Sequence, residues 1–163
     1  MAFNEREFER ALREEAIEEI DAQMDELADE IFEKSQELLD EKREWISLTG
    51  RSYQAAITDT GFLAASGEVI KEKLKKIIKY DAPHSAGVEF GMPPHFVSPE
   101  DLVPWVHRKL GVKQRYSLHV AKKIAKFISE HGSAEKPFMR PALNSYISRG
   151  VLRYENGGMN NAS

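Results

Sequence analysis

The chain of 163 residues contains no cysteine. A disulfide framework, a thiolate nucleophile and a thiolate metal site are therefore excluded, so packing and association must hold the fold together. No apolar run approaches the roughly 18 uninterrupted residues that span a bilayer, and the charged N-terminus lacks the apolar stretch of a signal peptide. We therefore expect a soluble protein without a standard export signal. Its hydrophobic content of 41% is enough for the core of one compact body.

Sequence signatures of catalysis are also missing. There is no Gly-x-Ser-x-Gly segment and no Gly-rich, phosphate-binding loop before a helix. The carboxylates of the N-terminal region lie along a solvated helix face, without a cleft that would raise a pKa. We therefore expect no enzyme, no metal site and no cofactor, and we interpret the histidines as surface or interface residues. These histidines recur at intervals of 11 or 12 residues, never at the i, i+4 spacing of a helical zinc site: His84, His95, His107, His119 and His131.

Charge is divided unevenly along the chain. Residues 1–45 hold 17 Asp/Glu against 6 Lys/Arg, a net charge of −11, whereas residues 46–163 hold 10 against 17, a net charge of +7. An acidic arm on a basic body favours head-to-tail contact between identical subunits. A DNA-binding protein would use the basic body alone, and this alternative stays open.

The N-terminal region predicts one long amphipathic helix. Residues 4–45 lack Gly and Pro, and a helix of about 40 residues is roughly 60 Å long, more than a domain of this size needs. We expect part of it to leave the body and contact another subunit. The alternative is a helix packed along its own domain with a solvated acidic start. Its apolar stripe consists of Ile17, Ile20, Met24, Leu27, Ile31 and Leu38.

The middle of the chain changes character. From residue 46 onward β-branched and small residues replace the Glu-rich pattern, and residues 68–80 suit either a helix or two short strands. Residues 88–90 predict a short extended piece. The two prolines of Gly91-Met92-Pro93-Pro94 then fix an extended connector.

Three helices are predicted in the C-terminal half. Ser98-Pro99 begins one and Gly111 ends it, with Pro104 expected to kink or restart it. A second helix covers residues 113–130 and a third residues 142–149, and residues 155–163 have the composition of a disordered tail. The second helix is expected to bury Leu118, Ala121, Ile124, Ala125 and Ile128.

Three segments carry a family resemblance. Residues 58–63, Thr-Asp-Thr-Gly-Phe-Leu, are similar to an Asp-Thr-Gly-x-Leu turn. Residues 82–95, followed by Trp-Val-His-Arg-Lys at 105–109, resemble a Tyr-Ala-x-x-Val-Glu-Tyr-Gly segment with a Pro-rich continuation. Residues 136–143, Lys-Pro-Phe-Met-Arg-Pro-Ala-Leu, are similar to a closing Pro-Phe-Leu-Arg-Pro-Ala. In this order, over about residues 57–143, they resemble the tail-completion, or neck, proteins that join head to tail in long-tailed bacteriophages.

The resemblance implies an α+β fold. Its parts are a long N-terminal helix, a small antiparallel β-sheet within about residues 62–90, and two or three C-terminal helices packed on that sheet. This favours strands for residues 68–80. The implied organisation is an acidic helix over residues 1–45, a tail-completion-like body over residues 46–150 and a flexible tail over residues 151–163.

The resemblance also implies a function in the virion. The protein would be a structural, non-enzymatic subunit of a sixfold or twelvefold ring at the head-tail junction, present in the host cytoplasm during assembly. Its partners would be portal-side connector proteins and the tail terminator or tail tube protein, with non-specific contact to DNA in the lumen and none with membrane. The alternative is a small DNA-binding or regulatory protein that uses the basic C-terminal helices.

The motif residues are expected to have structural roles. Asp59 and Thr60 would bond the turn backbone, Gly61 would permit its conformation, and Leu63 would anchor it in the core. Phe138 would fill the core, and Arg140 would bind helix-end carbonyls or a neighbouring subunit. The other structural positions are Glu89, Phe90, Gly91, Pro94, Trp105, Pro137 and Pro141. Candidates for subunit or DNA contact are Arg108, Lys109, Lys122, Lys123 and Lys126.

The chain also departs from the family pattern. Phe62 and Ala64 stand where the family turn often has basic or amide side chains. About 18 residues separate Leu39 from Thr58, more than is usual. We expect these features to build a subunit contact special to this virus.

Overall fold

A computed structural model describes residues 4–148, and these residues form a mixed α+β fold, as predicted. The order is a long helix, two β-hairpins and a set of C-terminal helices. The helices are α1 (Glu5–Asp40), α2 (Phe62–Ala65), α3 (Ser85–Phe90), α4 (Pro99–Leu110), α5 (Gln114–His131) and α6 (Met139–Ser148). The strands are β1 (Arg43–Ile46), β2 (Ser52–Ala55), β3 (Gly67–Glu72) and β4 (Lys75–Tyr80).

Helix α1 begins where the sequence predicts and ends earlier. The side chain of Asn4 accepts a hydrogen bond from the Glu7 N–H (3.4 Å), as an N-cap does. The helix stops at Asp40 rather than near Trp45, because residues 43–46 pair with residues 52–55 as an antiparallel hairpin. The Trp45 indole N–H donates to the carbonyl of Ala55 (2.8 Å), which supports that hairpin. The 36 residues of α1 extend roughly 54 Å.

Strands β3 and β4 form the second antiparallel hairpin, in a register that runs from Gly67 opposite Tyr80 to Glu72 opposite Lys75. The prediction of strands within residues 68–80 is therefore confirmed. The β3–β4 hairpin is the small antiparallel sheet expected between about residues 62 and 90, and the β1–β2 hairpin is a second, separate sheet. Residues 62–65 form a helical turn, and residues 85–90 form α3 instead of an extended piece.

The core lies where α1, α2, β4 and α6 meet. Leu39 is fully buried and Phe138 is 1% exposed. The Tyr80 ring meets the Phe138 ring edge-on (4.9 Å between centroids), and its hydroxyl bonds the Ser35 hydroxyl (2.6 Å). Of the predicted apolar stripe, Ile31 and Leu38 are buried, whereas Ile20 is half exposed. Only the C-terminal half of α1 therefore contributes to the core.

Helices α4 and α5 pack on each other, joined by residues 111–113. Helix α4 continues through Pro104, so a restart there does not occur. Ser117 and Ala121 are fully buried, whereas Leu118 is exposed, contrary to the prediction. The buried face is the row spaced by four residues, and Leu118 lies beside it.

Helix α6 begins at Met139, three residues earlier than predicted. The predicted end at Arg149 and the predicted tail lie outside the described residues. Within residues 4–148, no helix combines the length and the apolar content needed to cross a bilayer.

Candidate functional site

The second and third motifs meet at a buried carboxylate, Glu89. Its Oε2 accepts from the main-chain N–H groups of Phe138 (2.8 Å) and Met139 (3.0 Å), and its Oε1 accepts from that of Arg140 (2.9 Å). The Arg140 Nε also donates to Oε1 (3.0 Å). The Met139 and Arg140 amides lie in the first turn of α6 and the Phe138 amide immediately precedes it, so these N–H groups have no partners within the helix. Glu89 thus caps α6 from a position 49 residues away in sequence.

The environment keeps Glu89 ionised. Burial by itself would raise the pKa of the Glu89 carboxyl, but the three main-chain N–H donors and the Arg140 side chain outweigh it and hold the pKa below its usual range. Arg140 also donates to the Glu89 carbonyl (2.6 Å) near the end of α3 and pairs with exposed Glu135 (2.8 Å). Glu135 and then Glu89 raise the pKa of Arg140.

The first motif is bound to α1 and to α4. The N–H and Oγ1 of Thr58 both donate to the carbonyl of Leu39 (2.9 and 3.1 Å). Asp59 pairs with the Arg108 guanidinium (2.7 Å), although the sequence predicted a bond to its own turn backbone. Lys109 donates to the Thr58 carbonyl (2.5 Å). Arg108 and Lys109, predicted as subunit or DNA contacts, therefore make contacts inside the chain.

The turn of the first motif matches its expected geometry. Gly61 has φ +79°, and a side chain there would meet nothing within 4 Å. The next buried residue is Leu63, 6% exposed in the core. Phe62 is exposed and its ring stacks on His84 at 6.0 Å. Thr60 lies at the rim of a cleft beside this turn.

All three motifs line this cleft, which has a volume of about 370 Å³. We call it the motif cleft. Within residues 4–148 no group of His, Asp and Glu side chains is arranged to hold a metal ion. Asp59, the acid of the cleft, is already paired with Arg108. The lining of the cleft includes Thr58, Asp59, Thr60, Gly61, Phe62, His84, Val88, Trp105, Arg108 and Lys136.

The connector after α3 is attached to the end of α5. Met92 and Ser133 exchange two main-chain hydrogen bonds (3.1 and 2.9 Å). Gly91 precedes this bridge with φ +72°, and a Cβ there would lie 2.7 Å from the Ser133 carbonyl oxygen. Exposed Phe90 lies under the Arg140 guanidinium, 5.0 Å from ring centroid to Cζ. The Pro137 carbonyl accepts from the Arg43 guanidinium (2.8 Å).

Two further proline positions complete the motifs. Pro94 is exposed in the connector before α4. Pro141 lies in the first turn of α6, where the lack of an N–H leaves no helical bond unmade.

Helix α5 presents a basic face to solvent. Arg115, Lys122, Lys123 and Lys126 are exposed, whereas Ala121 and Ala125 of the same helix are buried. Among the described residues, the only ion pair of this face joins Lys126 to Glu130 (3.8 Å). Phe96, which is 84% exposed, borders the same face in a small groove shared with Lys122 and Lys126. We call this surface the α5 face.

The first turns of α1 present an acidic face with an apolar row. Residues 4–16 are all exposed, and we call this stretch the α1 overhang. Phe8 and Leu12 in the overhang, and Ile20 just after it, are about half exposed. Among the described residues, the glutamates of the overhang form one ion pair, Arg10 to Glu14 (3.2 Å).

A buried lysine, which sequence reasoning missed, holds the middle of α1. The side chain of Lys76 on β4 is 7% exposed, and its ammonium contacts the carboxylates of Asp21 (2.9 Å) and Asp25 (2.6 Å). Asp21 also accepts from the Leu74 N–H at the hairpin tip (2.5 Å). Lysines are so frequent in residues 71–79 that nothing marks Lys76 as different before the strand faces are known.

The described part of the chain is thus a small α+β body with two charged surfaces of opposite sign and a polar cleft. No protein-family model, curated protein or solved structure matches the chain. Any functional assignment is therefore argued from the motifs and from the surfaces of the molecule itself.

Proposed function

We propose that this protein is a structural subunit of the neck of a long-tailed bacteriophage, where it forms a ring that joins the DNA-filled head to the tail. Its action is binding rather than catalysis. The ring seals the exit after DNA packaging and presents a surface to the tail. Portal-side connector proteins lie on one side of it and the tail terminator or tail tube on the other.

The convergence of the three motifs carries the proposal. They are separated by tens of residues, yet Glu89 of the second caps the helix of the third, and Asp59 of the first pairs with Arg108 of the second. Phe138 fills the core beneath them. Three similar segments that arose by chance have no reason to bond to one another in the folded chain. Their contacts support the interpretation that the three similar segments belong to one folded unit.

The two charged surfaces support a ring. A ring needs two different patches on each subunit, so that the same contact repeats by rotation until it closes. The α1 overhang and the α5 face differ in sign and lie on different elements. Two such surfaces on one chain would supply the two halves of a heterologous contact. An open DNA path through such a ring needs only sequence-independent contact with phosphates.

The proposal is tested by removing the protein from an infection. Cells that produce the phage without this gene are expected to accumulate filled heads and separate tails, and a plasmid copy of the gene is expected to restore tailed particles. Electron microscopy of the lysate counts both species. Normal numbers of tailed, infectious particles without the protein would contradict the proposal.

The basic α5 face favours a second candidate, a small DNA-binding protein. If its four lysines and arginines neutralise four phosphates, affinity for duplex DNA should fall roughly 100-fold between 50 and 200 mM salt. Fluorescence anisotropy with a labelled duplex measures this on the purified chain. Strong, salt-sensitive binding that the triple variant K122E/K123E/K126E abolishes would favour this candidate.

A further inference from the structure

The motif cleft brings together polar donors from different elements. His84 lies just before α3, Arg108 lies on α4, and Lys136 lies between α5 and α6, yet all of them line the same cavity of about 370 Å³. Among its described lining residues, Asp59 is the one acid. The lining therefore favours an anion. A cavity of this size admits a side chain or a small ligand and is too small for a nucleic-acid duplex.

Arg108 retains donors for a second acceptor. Within residues 4–148 its side chain makes one hydrogen bond, from Nη2 to the Asp59 carboxylate (2.7 Å). A guanidinium carries several N–H donors in a fixed plane, so one bond leaves others for a ligand. The Arg108 side chain is also 46% exposed, whereas that of Asp59 is 23% exposed. Asp59 thus holds the guanidinium at the wall of the cleft, and the remaining donors suit a second carboxylate.

Lys136 adds a positive charge on a long, flexible side chain. Its main-chain N–H donates to the Val88 carbonyl (2.7 Å), which fixes the backbone beside the cleft. Its ammonium lies over the Tyr53 ring, 5.5 Å from the centroid. A cation–π contact near solvent is weaker than a charge-assisted hydrogen bond. A carboxylate that enters the cleft would therefore attract the ammonium away from the ring.

Apolar and aromatic side chains form the rest of the cleft. Ile57, Val88 and Trp105 line it, and the Phe62 ring at its edge stacks on His84. Apolar surroundings strengthen an ionic contact, because they exclude water from it. They also favour a ligand whose charged group has apolar neighbours, as an acidic residue within a peptide segment has.

We propose that the motif cleft binds an acidic side chain, flanked by apolar residues, on a peptide segment of the adjoining neck protein. The carboxylate lies between Arg108 and Lys136, and the flanking apolar side chains lie against Ile57 and Val88. Asp59 is a positioning residue, because it orients Arg108. This inference rests on the proposed neck function and names the chemistry of one partner.

Trp105 reports on the cleft directly, because it is one of only 2 tryptophans in the chain and lines the cavity. The full chain, labelled with ¹⁵N, is titrated with the blocked peptide acetyl-Gly-Leu-Glu-Leu-Gly-amide, and the indole N–H signals are followed by NMR. The Trp105 signal should shift, whereas main-chain signals of residues 122–126 on α5 should not. The peptide with Gln in place of Glu should bind roughly tenfold more weakly. Affinity for the Glu peptide should fall several-fold from about 50 to 500 mM salt.

Matched variants test whether the charge in the cleft is responsible. Lys136→Gln should weaken binding of the Glu peptide roughly to the level of the Gln peptide, and Lys136→Arg should retain it. Lys122→Gln on α5 removes an exposed positive charge elsewhere and should change nothing. Equal affinity for the two peptides, or an equal loss in Lys122→Gln, would overturn the proposal. A short single-stranded oligonucleotide that shifts the Trp105 signal at lower concentration than the Glu peptide would overturn the choice of a carboxylate.

Complementation of a phage that lacks the gene distinguishes the two failures. If loss of the gene prevents heads and tails from joining, but the Glu peptide does not bind and a Lys136→Gln copy restores tailed particles fully, the cleft proposal is wrong and the neck assignment stands. If the Glu peptide binds selectively and tailed particles form without the gene, the cleft binds a carboxylate and the neck assignment is wrong.

Discussion

Glu89 shows how one side chain can join two distant segments. Its carboxylate is buried and uses both oxygens on the first turn of α6, where main-chain N–H groups have no helical partners. The sequence places Glu89 within a motif but gives no sign that it caps a helix 49 residues away. That role depends on α3, which local propensity did not predict, because Ser-Ala-Gly-Val-Glu-Phe favours no single structure.

Glu89→Gln should destabilise the protein by about 2–4 kcal/mol, because an amide cannot replace a buried, charged acceptor for three N–H groups and Arg140. The matched control is Glu135→Gln, which removes the exposed partner of the same arginine and should cost less than about 0.5 kcal/mol. Urea unfolding followed by circular dichroism measures both. Equal effects in the two variants would argue against the capping role.

The lowered pKa of Glu89 predicts how stability depends on pH. A carboxyl whose folded-state pKa lies below its usual value of 4.5 contributes stability above that value and loses it as pH falls through the folded-state pKa. The stability gap between wild type and Glu89→Gln should therefore be constant near neutral pH and shrink below about pH 4.5. Asp21 and Glu100 also have lowered pKa values, but both are present in the two proteins, so their contributions to the stability difference cancel. A gap that widens in acid would contradict this assignment.

Alanine substitutions at two motif glycines compare the cost of backbone strain alone with the cost of backbone strain plus a steric clash. Gly61→Ala should cost about 1–2 kcal/mol, because φ is positive but the surrounding space is open. Gly91→Ala should cost at least about 1 kcal/mol more, because its Cβ would also displace the Ser133 carbonyl oxygen, 2.7 Å away. Thermal unfolding ranks the two variants. The opposite order would show that residues 91 and 133 are not held together as described.

At the scale of elements, sequence reasoning worked where the signals were local. Ser98-Pro99 and Gly111 marked the bounds of α4, and the predicted range 113–130 matches α5 to within a residue. Propensity left residues 68–80 undecided, and only the family resemblance favoured strands there. The β1–β2 hairpin was missed, because four-residue strands give no periodicity and a tertiary contact, Trp45 to Ala55, supports them.

The ionic contact at Lys76 should control how firmly the middle of α1 is held. In Lys76→Ala, main-chain amides of the hairpin tip and of residues 17–25 should exchange with deuterium faster, because two carboxylates lose their shared cation. Lys75→Ala is the control, since within residues 4–148 Lys75 forms its ion pair with Glu72 of the same hairpin. Hydrogen exchange with mass spectrometry resolves these segments. Identical exchange in both variants would show that packing alone holds the helix.

At the scale of the whole molecule, the structure shows where the acidic and the basic residues counted in the sequence lie. The acidic residues continue through the α1 overhang, whose residues are exposed, and four exposed basic residues lie on α5. Composition predicted opposite charges on two parts of the chain. Composition could not predict which charged side chains form ion pairs. Arg108 and Lys76 look like other basic residues in the sequence, and only the structure shows their acidic partners.

The sequence predicted which residues belong to the candidate site but not how they are arranged. The motifs named Asp59, Glu89 and Arg140, but their pairing with Arg108 and with the first turn of α6 follows from the packing of α3, α4 and α6. The motif cleft exists only because these elements converge. The sequence alone does not show that residues 59 and 108 lie next to each other in the folded chain.

The most direct test of the neck assignment is to locate the protein in the virion. Purified particles are analysed by mass spectrometry and labelled with gold-conjugated antibody to this chain, and electron microscopy then records the position of the label. The account predicts a virion protein with label at the junction of head and tail in most labelled particles. Absence of the protein from intact particles, or label confined to another part of the virion, would contradict it.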